Sequence, residues 1–137
     1  MQKQAPDTPM KVIIIDQDNV FLHVITTMFQ GLGWQVSGFT APQEARQCIE
    51  SELSMQSTQP SLLIAGFDPP GTATQKIIGH ARKHFPTMRF LLLSSKPNVV
   101  PMSLPENTDL LRKPVRPRQL LSAAESLMAG TPADLNF

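Results

Sequence analysis

Residues 11–16 read KVIIID, and this short stretch decides the fold. Its four apolar residues are all β-branched and do not alternate with polar ones, which is typical of a strand covered on both faces in a parallel sheet. The run ends at an acidic residue, Asp16. Later apolar runs also lead into small or polar residues: SLLIAG at 61–66, FLLLSS at 90–95 and LLRK at 110–113. The pattern predicts a parallel sheet with chemistry-bearing residues where its strands end.

Segments with helical spacing separate most of these runs. The predicted order is strand 12–15, a helix from an Asn19 N-cap to Gly31, strand 34–39, a helix from a Thr40 cap to Leu53, strand 61–65, helix 73–84, strand 88–93, strand 109–112 and helix 116–128. Five strands alternating with helices predict an α/β fold, a doubly wound five-stranded parallel sheet. We expect one domain at 11–129, a flexible N-terminal segment at 1–10 and a C-terminal tail at 130–137.

The composition limits the classes of function. The chain has 137 residues, 41% of them hydrophobic, which suits one domain with a single core. A net charge of +1 without long charged runs argues against a nucleic-acid or membrane surface. The single cysteine, Cys48, has no disulfide partner within the chain. No apolar stretch approaches the roughly 20 residues that cross a bilayer, and the N-terminus is polar, so we expect a cytoplasmic location.

Four residues fall at predicted strand ends, where doubly wound sheets carry their working site. They are Asp16, Gly66, Ser94 and Lys113. An acid, a hydroxyl and a lysine make up most of a phosphoryl-transfer site, because that reaction depends on positioning and on neutralising negative charge. The nucleophile is absent, since Gly66 has no side chain.

The chain resembles the receiver domain of two-component response regulators from Lys11 to Met128. Four patterns carry the resemblance: KVIIID at strand one, GLGWQV before helix two, PPG after strand three and LLRKPV at strand five. The resemblance implies that a carboxylate ending strand three accepts a phosphoryl group from a histidine kinase and that acids after strand one bind Mg²⁺. It also implies that the Ser94 hydroxyl contacts a phosphoryl oxygen and that Lys113 pairs with the phosphoryl group or its aspartate. It further implies a cis peptide bond before Pro114.

The chain departs from that pattern at several positions. Gly66 stands at the phosphoacceptor position and Gln17 replaces a second acid, so a Mg²⁺ site at Asp16 and Asp18 is predicted to be weak or lost. Asp18 is interpreted as a residue that favours a helix N-terminus. Leu110 stands where the family often has a switching aromatic residue. Asp68 offers a displaced carboxylate if the strand continues, although a turn before the PPG sequence is the favoured interpretation.

A further departure concerns the segment between the last two strands. Residues 96–105 read KPNVVPMSLP, and three prolines leave little room for a regular helix. The fourth helix of a receiver belongs here, so we predict that it is short or missing.

Histidine spacing offers one other chemistry. His80 and His84 lie four residues apart in a predicted helix, a spacing that can bind metal. No cysteine or acid accompanies the pair in the sequence, so a solvated helix face is the favoured interpretation.

Two functional hypotheses follow. The first is a degenerate receiver, or pseudo-receiver, which is not an enzyme and needs no cofactor. It would act as a phosphorylation-independent module binding a histidine kinase, an output domain, another regulator or a second copy of itself. The second is a working receiver that uses Asp68 with Mg²⁺ held by Asp16 and Asp18. A flavodoxin-type ligand-binding domain lacks support, because no glycine-rich loop follows strand one.

Overall fold

The computed structural model describes residues 10–55, 60–66, 72–95 and 107–129. Its elements, in chain order, are β1 (Lys11–Ile15), α1 (Asn19–Gly31), β2 (Gln35–Phe39), α2 (Pro42–Met55), β3 (Leu62–Gly66), α3 (Thr72–His84), β4 (Arg89–Ser94), β5 (Thr108–Arg112) and α4 (Pro117–Met128). None of the described helices combines the length and the apolar character needed to cross a membrane.

All strand pairs are parallel, and the sheet order is β2-β1-β3-β4-β5. This is the flavodoxin-like order of doubly wound sheets, with the reversal of strand order beside β1. The predicted five-stranded α/β fold is confirmed. A fourth helix is present in the described residues, and it follows β5. The prediction that the helix between β4 and β5 is short or missing concerns residues outside the described ranges. Asp68 also lies outside them.

Strand residues alternate between two apolar layers. On one face, Val12 and Ile14 of β1 pack with residues of α1 and α4. On the other, Ile13 and Ile15 pack with residues of α2 and α3. Because each strand contributes to both layers, β1, β3 and β4 read as continuous apolar runs, and this is why the sequence located them well.

The ends of α1 follow from local hydrogen bonding. Asp18 is the N-cap, and its Oδ1 accepts from the backbone N–H of Val20 at 3.0 Å and of Phe21 at 3.1 Å. The predicted cap, Asn19, was wrong by one residue, because the side chain one place earlier satisfies the first free N–H groups. At the other end Gly33 has φ +90°, a left-handed conformation that favours glycine.

The turn after α1 packs an aromatic pair against the core. Trp34 lies 5.1 Å from the fully buried Phe29, measured between ring centroids, with the rings edge to face. The backbone N–H of Trp34 donates to the Phe29 carbonyl at 3.1 Å. Strand β2 therefore begins one residue later than predicted, at Gln35.

Candidate functional site

The alternation of strand residues puts three predicted site residues on one face of the sheet. Ile14 and Ile64 belong to the layer covered by α1 and α4, and Asp16 and Gly66 each follow two residues later. Leu111 of β5 packs against the same layer, and Lys113 again follows by two. The carboxyl ends of β1, β3 and β5 therefore direct these positions toward α1 and α4.

Asp16 is the buried acid of this site, with 3% of its surface exposed. Its Oδ1 accepts a hydrogen bond from the Asp18 N–H at 2.9 Å. Its Oδ2 lies 2.9 Å from Nζ of Lys113, but the approach lacks the angles of a hydrogen bond. The contact is thus a close ion pair that leaves the Oδ2 lone pairs without a well-directed donor.

Lys113 is held in place by its backbone as well as by this ion pair. Its N–H donates to the Ser94 carbonyl at 2.7 Å, which joins it to the end of β4. Its ammonium lies 5.7 Å from the centroid of the Phe21 ring, within the range of a cation–π contact. The Lys113–Pro114 peptide bond is cis, as the resemblance implied. The lysine is therefore shared between a carboxylate and an aromatic face.

Gly66 ends β3 between the acid and the lysine. Its strand neighbour is Leu93 on one side, and the pairing of Ala65 with Ile15 places it beside Asp16 on the other. A Cβ built at Gly66 would meet nothing within 4 Å. The position has room for a side chain but provides no side-chain oxygen that could bond to phosphorus.

The two serines at the end of β4 differ in their surroundings. Ser94 is 1% exposed and follows Phe90 and Leu92, which belong to the layer under α2 and α3. Ser95 is exposed and lines a cleft with Lys113. The sequence reasoning named Ser94 and missed Ser95. Strand alternation could have identified Ser95, since residues two apart share a face of the sheet and Ser95 follows Leu91 and Leu93 at that spacing.

This cleft has a volume of about 360 Å³ and opens at the carboxyl edge of the sheet. Its lining residues are Asp18, Phe21, Ser95, Lys113, Pro114 and Val115. Three of these described residues are apolar, and the two charged ones, Asp18 and Lys113, have opposite signs.

Among the described residues, the donor atoms around Asp16 are an incomplete ligand set for a Mg²⁺ ion. Mg²⁺ takes oxygen ligands in octahedral geometry, and carboxylates supply most of the protein's share. Asp16 is already paired with a cation, Oδ1 of Asp18 caps a helix, and Gln17 is exposed. Across the described ranges, no group of three or more metal-ligating side chains is arranged around a common point.

A basic surface and an apolar one flank the site. The exposed side chains of Arg112, Arg116 and Arg118 form the basic corner, at the end of β5 and the start of α4. The first turn of α4 carries no acid. On α1, Val20 is 74% exposed and Val24 is 42% exposed, although both are apolar. Leu110 is half-buried against the layer under α2 and α3.

Comparison with known proteins points to one group of folds. No protein-family model matches the chain, and no curated protein matches it in sequence. Among solved structures, a response regulator receiver domain protein from Clostridium thermocellum superposes with a TM-score of 0.72 at 18% identity, covering 88% of this chain and 95% of that one. A CheY-like receiver domain protein from Methanospirillum hungatei JF-1 gives 0.66 at 21% identity, covering 90% and 96%.

The receiver domain of the hybrid histidine kinase CckA gives a TM-score of 0.69 at 16% identity, with 86% of this chain and 98% of that chain covered. Identities at this level establish similarity of fold and leave function to the site residues. The chain therefore has the flavodoxin-like fold of response-regulator receiver domains, with glycine at the end of its third strand.

Proposed function

We propose that this chain is an atypical receiver domain that acts in two-component signal transduction as a phosphorylation-independent protein-interaction module. The observation that carries the proposal is Gly66. It stands beside Asp16 at the end of β3, where the resemblance expects the phosphoacceptor, and it has no side chain. An acyl phosphate needs a carboxylate as nucleophile, so none can form at this position.

The electrostatics of the site support the same proposal. In a phosphoryl-transfer site, a lysine and a divalent cation neutralise charge on the transferring group. Here the Lys113 ammonium lies against Asp16 at 2.9 Å, and the Mg²⁺ donor set is incomplete among the described residues. Asp16 thus balances the charge of Lys113, so the lysine does not need a phosphoryl group as its partner. In this proposal the chain is not an enzyme and has no resident cofactor.

The partners in this proposal are proteins of the same signalling class. The CckA structure is a receiver domain from a hybrid histidine kinase, which supports a kinase as the kind of partner. An output domain, another regulator or a second copy of this chain are the other candidates. The exposed Val20 and Val24 face of α1 and the basic corner are the two surfaces we assign to such contacts. Neither nucleic acid nor membrane is a partner, and the location is cytoplasmic.

The test is chemical phosphorylation. The protein is incubated with acetyl phosphate or phosphoramidate and Mg²⁺, beside a receiver with an intact acceptor, and its intact mass is measured. The proposal expects no phosphoryl adduct on this chain and a full adduct on the control. Asp68→Asn is the matched variant. An adduct that appears on the natural chain and disappears in Asp68→Asn would overturn the proposal in favour of a working receiver using Asp68.

A further inference from the structure

We propose that Asp109 closes the outer edge of β5 and thereby prevents this strand from pairing with the same strand of a second copy of the chain. Strand β5 stands at one end of the sheet order, and among the described residues no strand pairs with its outer side. The end strand of a sheet presents a row of backbone N–H and C=O groups that can serve as a template for another chain. The outer side of β5 is therefore a surface on which a further strand can add to the sheet.

The hydrogen bonds between β4 and β5 show which backbone groups face outward. The Asn107 carbonyl accepts from the Phe90 N–H at 2.8 Å, and the Lys113 N–H donates to the Ser94 carbonyl at 2.7 Å. Backbone groups of successive strand residues point to opposite sides, so every second residue from Asn107 to Lys113 faces β4. The residues between them face outward, and Leu110 is the central one.

Asp109 occupies the donor at the centre of this edge. Its Oδ1 accepts from the Leu110 N–H at 2.8 Å. The Asp109 side chain is exposed, so it reaches this N–H from the solvent side of the strand. Side-chain acceptors of this kind offer the backbone an alternative to the hydrogen bonds of a sheet. An incoming strand therefore has to break this bond before Leu110 can donate to it.

A second copy of β5 is the partner that fits this edge. In an antiparallel pair, two residues that lie opposite each other exchange both of their backbone hydrogen bonds. Leu110 is the middle residue of the five-residue strand Thr108–Arg112. A two-fold arrangement therefore places Leu110 of one copy opposite Leu110 of the other and aligns the two strands along their full length, as an interface between identical patches requires.

Apolar surface at this edge favours such pairing once the edge is open. Leu110 and Leu111 are both half-buried, one against each layer of the core. A strand laid along β5 would remove more of their surface from water, which is favourable. In the sequence the two leucines are enclosed by Asp109 and Arg112, which are charged and exposed. Charged residues that flank an apolar strand segment are a frequent protection against association of strands.

The experiment measures self-association by analytical ultracentrifugation over a range of concentrations. Asp109→Ala should strengthen the pairing of two copies by at least roughly tenfold, because one more N–H in each copy becomes available for a hydrogen bond between strands. Asp109→Asn keeps an oxygen acceptor at the same place and should behave like the natural chain. Glu125→Ala removes an exposed acid from α4 and is the matched control, which should not increase association.

A second measurement locates the contact by amide hydrogen exchange of Leu110, followed by NMR. In Asp109→Ala this amide should exchange rapidly in dilute solution and slowly in concentrated solution, where the second strand accepts its hydrogen bond. In the natural chain the exchange of the Leu110 amide should be independent of concentration. Asp109→Val carries a β-branched residue that favours strands, and it repeats both measurements should alanine impair folding.

Two results would overturn the proposal. One is self-association of Asp109→Ala and Asp109→Val that is no stronger than that of the natural chain, or that leaves the exchange of Leu110 independent of concentration. The other is association of Asp109→Asn equal to that of Asp109→Ala, which would assign the protection to the negative charge rather than to the bond from Leu110 to Oδ1.

Discussion

Lys113 Nζ lies 2.9 Å from Asp16 Oδ2, although β3 and β4 separate their strands in the sheet. Strands β1 and β5 are three spacings apart, roughly 14 Å. The ion pair therefore joins the carboxyl ends of β1 and β5 across that of β3, which ends at Gly66. A carboxylate at position 66 would compete with Asp16 for the ammonium group.

The first prediction concerns this pair. Lys113→Met should lower the free energy of unfolding by about 1–3 kcal/mol, because the buried Asp16 carboxylate loses its only nearby cation among the described residues. Asp16→Asn should cost less, because Lys113 is 28% exposed and can reach water. The double variant should recover part of the loss, and urea denaturation of all four proteins gives the coupling energy.

Lys83→Met is the matched control, because Lys83 is exposed on α3. It should change stability by less than about 0.5 kcal/mol. If the Asp16 and Lys113 substitutions were strictly additive, the ion pair would contribute nothing to the fold.

A second prediction concerns substitutions that restore the missing phosphoacceptor. Gly66→Asp combined with Gln17→Asp should produce Mg²⁺ binding and a phosphoryl adduct with acetyl phosphate. The open space at Gly66 accepts the side chain, and two added carboxylates supply oxygen ligands beside Asp16. Intact mass spectrometry detects the adduct. Gly66→Asn with Gln17→Asp keeps the size of the side chain without the nucleophile and should remain unmodified; equal labelling of both would place the adduct elsewhere.

A third prediction tests the helix cap. Asp18→Ala should destabilise the protein by about 1 kcal/mol, because the N–H groups of Val20 and Phe21 lose their acceptor. Asp18→Asn should retain most of the stability. Asn19→Ala, at the neighbouring position first predicted as the cap, should have a smaller effect. Chemical denaturation measures all three, and a larger loss at Asn19 would contradict the observed cap.

A fourth prediction compares two glycines. A Cβ at Gly38 would lie 3.1 Å from Leu22 Cδ1 and 3.2 Å from Thr26 Oγ1, so Gly38→Val should force α1 away from β2 and cost about 1–3 kcal/mol. Gly79 is exposed within α3 and meets nothing within 4 Å. Gly79→Ala should therefore stabilise the chain by about 0.5–1 kcal/mol through helix propensity. Thermal unfolding should show shifts of opposite sign.

The sequence predicted the sheet well because its central strands are buried on both faces. Residues 12–15, 62–65 and 90–93 each read as unbroken apolar runs, a pattern that depends on no tertiary detail. Element boundaries were harder, since a cap depends on which side-chain oxygen reaches the first N–H groups. Asp18 and Asn19 both suit that role, and only the backbone geometry distinguishes them.

The sequence predicted which site residues lie at strand ends, but it predicted less well which way their side chains point. Asp16, Gly66 and Lys113 share one face, whereas Ser94 is buried beside the other layer and Ser95 lines the cleft. The approach of Glu50 to His80 joins two helices that the sequence does not relate. Contacts of that kind are set by helix packing, and periodicity within one helix carries no information about them.

The open space at position 66 separates the chemistry of the pocket from the packing of the fold. Since no neighbouring atom depends on a side chain there, exchanges at this position alter the chemistry of the pocket while the hydrophobic layers stay intact. Catalytic competence and foldability are then separate properties of the scaffold. An exchange at this position can therefore change whether the pocket offers a phosphoacceptor while the packing of both layers stays the same.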